Sequence, residues 1–429
     1  MKKKYRIILY TSIFLLCVVA SIILVVKKSN SVYEEESKPK VVKHKSMLSM
    51  NLEQTAGAGD YKTVTQSKWP TEGYKFNAEL SRCENGSTLS WDDTKKAVIV
   101  SGNLSDKCYV YFDIYQPTLA EYIKSQYTGT QGDNALYYHN STLTNGAGDN
   151  SYRYAGANPN NFVCFGSDTS PCPTDNLYRI IGVFGENYHG VTGKQLVKLI
   201  KYDYMTTDEL GTDGDYSQTY KEWGMDSTYK GTYGDGERIG VYYWNYKATG
   251  SATNTWSTSL LNKTNLNTNF INNIGTTWAN KIATVTWKVG GNTYANISDV
   301  VPATTYQNEI VNPVTTNTTD NATTYSAKIG LMYVSDYGFA ASPDAWTLTM
   351  SSYNNTTATN NNWMYMGLYE WTFSRIADSS LFAFYVGGDG YVYDDRVSRN
   401  SGVRASFSLE SSVSYVSGSG SMSDPIVIN

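Results

Sequence analysis

Twenty consecutive uncharged residues, Ile7 to Val26, stand between the basic head Lys2-Lys3-Lys4-Tyr5-Arg6 and the pair Lys27-Lys28. A helix of that length matches the roughly 30 Å hydrocarbon core of a bilayer. The chain is therefore expected to carry a single-pass anchor over residues 1–28. The basic head on so short an N-terminus favours keeping that end cytoplasmic, which sends everything after it to the cell exterior. The competing reading is a cleaved leader. No small-x-small site closes the apolar run, however, and Leu16 before Cys17 fits a lipoprotein box poorly.

The rest of the chain must then fold outside the membrane, and its cysteines agree with that. Residues 29–70 are polar and mixed in charge, with Glu34-Glu35-Glu36 and the small-residue run Ala56-Gly57-Ala58-Gly59. Too few large apolar groups are present to offset ordering entropy, so a disordered stalk is expected. Beyond it four cysteines form two local couples, Cys83 with Cys108 and Cys164 with Cys172, separated by 24 and 7 residues. Of the three connectivities these local pairings are preferred, since each couple lies within one apparent element. A zinc site is the alternative. It lacks a Cys-x2-Cys spacing, and His44, His139 and His189 are scattered.

The first couple brackets a small β unit over residues 71–114. Tyr74 to Leu80 alternates, Asn85-Gly86 is a turn pair, and Ala97-Val98-Ile99-Val100 and Cys108 to Phe112 read as strands. Forty residues bury little core, which is the physical reason for a staple. After it, Pro117 to Lys124 reads as a short amphipathic helix, and Leu177 to Phe184 with Leu196 to Tyr202 as a central hairpin. Trp256 to Ile274 reads as one or two short helices with Trp256 in the core. The runs Ile282 to Trp287 and Ile329 to Val334 read as further strands, and 312–324 and 351–362 as exposed Asn- and Thr-rich loops.

The stretch Trp363 to Leu409 behaves as a closing seam. Leu381 to Val386 and Gly390 to Tyr393 flank Gly387-Gly388-Asp389, a β-hairpin pattern whose turn demands positive φ. A polar loop, Asp394 to Ser401, comes next, and then a run from Gly402 to Leu409. Tyr369-Glu370-Trp371-Thr372 followed some thirty residues later by Gly402-Val403-Arg404 resembles the end of the formylglycine-generating-enzyme (sulfatase-modifying-factor) and C-type-lectin-like fold. Its members carry Trp-Glu-Trp and finish on Gly-Phe-Arg. Trp256 to Asn262 with Phe270 is similar to bacterial surface-protein domains of unknown function. The resemblance implies an α+β, C-type-lectin-like domain over 115–429, built of twisted antiparallel hairpins, a few short helices and long loops. Some relatives diversify residues ahead of the terminal Gly-x-Arg to bind varied ligands. The matching positions here are Tyr385, Asp389, Tyr391, Tyr393, Asp395, Arg396, Arg399 and Asn400.

Chemistry is harder to find. The resembling oxidases hold copper with two late cysteines, and none follows Cys172. No Gly-x-Ser-x-Gly elbow accompanies His139 or His189, and no carboxylate pair is singled out by spacing. No catalytic residue, cofactor or metal site is assigned. Calcium is the one ion with any support, from Asp213-Gly214-Asp215 in an acidic loop and from the resembling enzymes' site near Trp-Glu-Trp. Asp213-Gly214-Asp215 lacks the later bidentate Glu, and Gly367-Leu368-Tyr369-Glu370 lacks the family's Asn, so Glu370 reads as a buried, hydrogen-bonded group. With a net charge of -4 the chain has no basic footprint for nucleic acid. Its 37 Tyr and 10 Trp against 12 Phe suit wet interfaces and sugar stacking. The expectation is a membrane-anchored, non-catalytic extracellular protein binding a glycan or protein ligand. A structural envelope spacer and a hydrolase with an unrecognised carboxylate pair are the alternatives.

Overall fold

The computed structural model describes residues 48–65, 68–70, 73–103, 105–223, 228–294, 300–315 and 322–429. The expected membrane anchor over 1–28, with its flanking charges, lies outside the described residues. Among those described, no helix is long and apolar enough to cross a membrane. The chain is α+β, mostly strands with short helices, and divides into two units at Tyr115/Gln116.

In the first unit the strands Tyr61–Val64, Leu48–Glu53, Cys108–Ile114 and Tyr74–Cys83 form one sheet in that order, and Thr88–Asp92 pairs with Ala97–Ser101 as a separate hairpin. The three strand segments read between Tyr74 and Phe112 are all present, and Thr88–Asp92 adds a fourth. Two more come from residues assigned above to the stalk, which corrects that boundary. Leu48–Glu53 runs parallel to Cys108–Ile114, placing Met50 and Leu52 against Val110 and Phe112 in a small core capped by Trp69, Phe76 and Trp91. Local composition hid this. Leu48, Met50 and Leu52 are the only large apolar groups of that strand, but alternation puts all three on one face. Cys83 and Cys108 are direct cross-strand partners and are disulfide-bonded.

The second unit is organised on the expected central hairpin. Leu177–Phe184 and Leu196–Lys201 pair antiparallel, and every residue of both is buried. Burial of every residue marks strands covered on both faces, and the charged Arg179, Lys198 and Lys201 are buried with the rest. The sheet extends on one side through Tyr152–Tyr154 to Leu136–Tyr138, and on the other through Ser406–Ser408 to Ile329–Gly330. Phe162–Cys164 joins the first half of Leu177–Phe184, and Cys164 is bonded to Cys172. The helix expected after Pro117 spans Leu119–Ser125 and starts with a capping box: Glu121 N–H donates to Thr118 Oγ1 at 3.2 Å, and Thr118 N–H donates to Glu121 Oε2 at 2.9 Å.

Trp256 lies in the core, 2% exposed, ahead of a helical stretch over Leu261–Phe270 and Ile271–Ala279. Of the run Ile329 to Val334 only Ile329–Gly330 is strand, and Val334 opens a helix to Ala340. The segment 351–362, expected to be a loop, contains the helix Asn355–Asn361, whose start is capped by the Asn354 side chain.

Candidate functional site

The seam forms a three-stranded antiparallel sheet, Glu370–Arg375, Phe382–Val386 and Val392–Arg396. The hairpin is where its sequence put it. Its positive φ sits one residue later than expected, at Gly390 (+89°) rather than within Gly387-Gly388-Asp389. A Cβ at Gly390 would approach Ala358 Cβ to 2.3 Å, so glycine is required by space as well as by φ. Tyr337 Oη donates to the Gly390 carbonyl at 2.8 Å and Tyr365 Oη donates to that of Gly388, which pins the turn from beneath.

Behind this sheet the two ends of the seam meet. Trp371 N–H donates to the Gly402 carbonyl, and Gly402 N–H to that of Tyr369, both at 3.0 Å. The register brings Arg404 onto Glu370. Both side chains are buried, and Arg404 Nη2 also donates to the Met364 carbonyl at 2.6 Å. Burial pushes the Glu370 carboxyl upward while the adjacent guanidinium pulls it back. Glu370 is thus the buried, hydrogen-bonded group expected from the sequence, with its charge directed inward.

On the outward face four tyrosines form a row. Tyr385 and Tyr393 are cross-strand partners with ring centroids 5.6 Å apart; Tyr369 lies 5.8 Å from Tyr385 and Tyr391 5.7 Å from Tyr393. Tyr369 and Tyr393 are 40% and 38% exposed, enough to present ring surface to a ligand. Tyr393 Oη donates to Asp389 Oδ2 at 2.7 Å, and Tyr391 N–H to Asp389 Oδ1 at 3.2 Å, so one carboxylate fixes the end of the row. Burial, with Asp389 beside it, raises the Tyr393 phenol further, and it stays protonated. Asp395 lies two residues from Tyr393 on the same face, opposite Ala383.

The remaining sequence candidates separate from this group. Asp394 to Arg396 belong to a strand and not to the expected loop, and strand alternation turns Arg396 to the opposite face, where its guanidinium lies 5.3 Å from the Phe382 ring centroid. Arg399 is exposed in the turn beyond the strand. Asn400 donates through Nδ2 to Ser217 Oγ at 2.7 Å, holding a short strand against the Gly240–Tyr243 strand. Tyr369 was missed. Once Trp371 is placed opposite Tyr385, period two puts Tyr369 on the same side, so the signal was present in the alternation.

Other chemistry-bearing groups among the described residues make contacts inside the protein, although His139 Nε2 and Arg153 Nη1 have no hydrogen-bond partner there. Asp215 accepts from Leu260 N–H and Leu261 N–H at 2.8 Å each, and from Tyr246 N–H at 3.2 Å. It caps a helical stretch, and its oxygens are turned to N–H donors instead of an ion. Asp213 Oδ1 accepts from Asn269 Nδ2 at 2.7 Å. Cys83, Asp106 and Cys108 come within ligand distance of one another, but the sulfurs are bonded to each other. His189 spans its own turn, with Nε2 3.1 Å from the Phe184 carbonyl and Nδ1 accepting from Val191 N–H. His139 Nδ1 accepts from Ala147 N–H at 3.0 Å inside an aromatic enclosure of Phe339 and Trp346. A buried cluster under the central hairpin joins Lys198 to Asp336 at 2.6 Å, Tyr188 Oη to Asp336 at 2.7 Å and Arg153 to Asp149 at 2.8 Å. Nothing in composition marked these partners, which are 138 and 148 residues apart in the first two cases.

No family model, curated protein or solved structure matches this chain.

Proposed function

We propose that this is a membrane-anchored extracellular binding protein, with a C-type-lectin-like architecture over residues 116–429, that engages a carbohydrate or protein ligand through the tyrosine row. The observation that carries this reading is the row itself. Tyr369, Tyr385, Tyr391 and Tyr393 share one sheet face, with the hydroxyl of Tyr393 held by Asp389. Phenol rings offer apolar area and a polar tip at low entropic cost. Asp389 and Asp395 add hydrogen-bond acceptors on the rim. Support for the architecture comes from the buried Glu370–Arg404 pair, which joins the two motifs of the resemblance, and from the late strand Ser406–Ser408 returning to the central hairpin. The uncharged run Ile7 to Val26 supports the anchor.

The test is a glycan-array and protein-array screen of the full-length chain in detergent, with and without calcium, beside a Tyr385→Ala/Tyr393→Ala variant. Saturable binding that disappears in the still-folded variant supports the reading. Silence on both arrays gives the spacer alternative the weight instead.

A further inference from the structure

We propose that a second site, in a groove of about 290 Å³ between the helix Leu119–Ser125 and two loops, binds a short uncharged saccharide. This goes beyond the tyrosine row and does not rest on it. The groove is lined by Tyr122, Gln126, Asn134, Tyr154, Asn158 and Asn160 among others, and none of its lining residues is charged. Its volume falls just short of the range for drug-sized ligands, roughly 300–1,000 Å³, which suits a short ligand.

The Tyr154 hydroxyl carries the argument. Tyr154 is 4% exposed and lines the groove, and among the described residues its hydroxyl has no hydrogen-bond partner. The hydroxyl oxygen opens on the groove and is not sealed in the core, so it is a donor and acceptor offered to whatever occupies the groove. A ligand hydroxyl in the groove would supply the missing partner. The carboxamides of Asn158 and Asn160 are exposed and, among the described residues, have no protein partner. Asn134 Nδ2 donates to the Gln126 carbonyl at 2.8 Å, leaving its oxygen available.

The walls are preformed. Tyr122 stacks on Tyr415 with centroids 3.6 Å apart and planes 6° from parallel. Phe162 N–H donates to the Gly420 carbonyl at 2.8 Å, and a Cβ on Gly420 would come 2.4 Å from the Asn160 carbonyl oxygen. Asn161 is fully buried, donating to the Ile180 carbonyl at 2.8 Å, which fixes the loop carrying Asn158 and Asn160. Little ordering entropy then remains to oppose binding.

The donor set selects the ligand class. A phosphate or carboxylate would need cations in the lining, and an ammonium group would need carboxylates. Carboxamides and phenols each donate and accept, which matches vicinal hydroxyls that do the same.

The test is isothermal titration of the full-length chain, in a detergent without a sugar headgroup, with neutral glucose and N-acetylglucosamine oligomers and with uronic-acid oligomers. At least one neutral series is expected to saturate while the uronic acids do not. Tyr154→Phe, which removes a hydroxyl without a protein partner and leaves the fold intact, is expected to weaken binding by about fivefold to tenfold. Asn158→Ala/Asn160→Ala is expected to do the same. The proposal is overturned if no neutral series binds, if uronic acids bind equally, or if binding ignores Tyr154→Phe. Binding lost only with Tyr393→Ala would likewise overturn it, while supporting the tyrosine row.

Discussion

Arg404 Nε donates to Glu370 Oε1 at 2.8 Å, with the two side chains 1% and 2% exposed. A charge pair this deep gains little net stability by existing, but removing one partner strands the other in a low-dielectric interior. Glu370→Gln or Arg404→Met is therefore expected to cost about 3–5 kcal/mol in chemical denaturation of the second unit. A loss below about 1 kcal/mol in both would show that the pair does not hold the seam.

The tyrosine row makes a face-specific prediction. Tyr393→Ala, at a position 38% exposed, is expected to abolish ligand binding with a change within about 1 kcal/mol in stability, whereas Arg396→Ala on the opposite face is expected to leave affinity within about twofold. Equal loss of binding in both would show that recognition is not confined to the row's face.

His139 gives an acid sensitivity. Burial, reinforced by the neighbouring Arg153 charge, holds its folded-state pKa well below the ordinary 6.5. The folded chain therefore binds fewer protons than the unfolded one, and the contribution is present above pH 6.5 and lost as pH falls below it. Urea midpoints are expected to drop from pH 7 to pH 5, with a shallower drop in His139→Gln. An identical slope in that variant would assign the effect elsewhere.

Glu309 acts in the opposite sense. Burial raises its carboxyl to about 7, although Ser335 N–H and Ser374 Oγ donate to it. Its folded-state pKa lies above the unfolded value of 4.5, so its contribution is full below pH 4.5 and is lost as pH rises through 7. Glu309→Gln is expected to remove that loss, making the variant gain on the wild type between pH 5 and pH 8. A constant difference across the range would contradict a raised carboxyl.

Asp215 separates a cap from an ion site. As the acceptor for Leu260 and Leu261 N–H it is expected to cost about 1–2 kcal/mol on conversion to Ala, with melting temperature unchanged by calcium or chelator in the wild type. A calcium-dependent rise that Asp215→Ala removes would restore the ion-site reading.

Much of the fold is legible in the sequence alone. The strands Leu177–Phe184 and Leu196–Lys201, the capped helix after Pro117, the hairpin over Phe382–Val386 and Val392–Arg396, and the two disulfides all come from signals spanning fewer than thirty residues: alternation, capping residues, turn glycines and local cysteine couples. Such signals act through the chain's own covalent neighbours, so they survive without knowledge of the rest of the fold. Tertiary structure alone decided the long-range terms. It took Leu48–Glu53 out of the stalk by offering Cys108–Ile114 as a parallel partner, set Arg404 on Glu370, and left the Tyr154 hydroxyl facing a groove whose walls come from residues near 122, 160 and 419. Those outcomes depend on which groups share one low-dielectric interior or one sheet face, and spacing along the chain does not encode that.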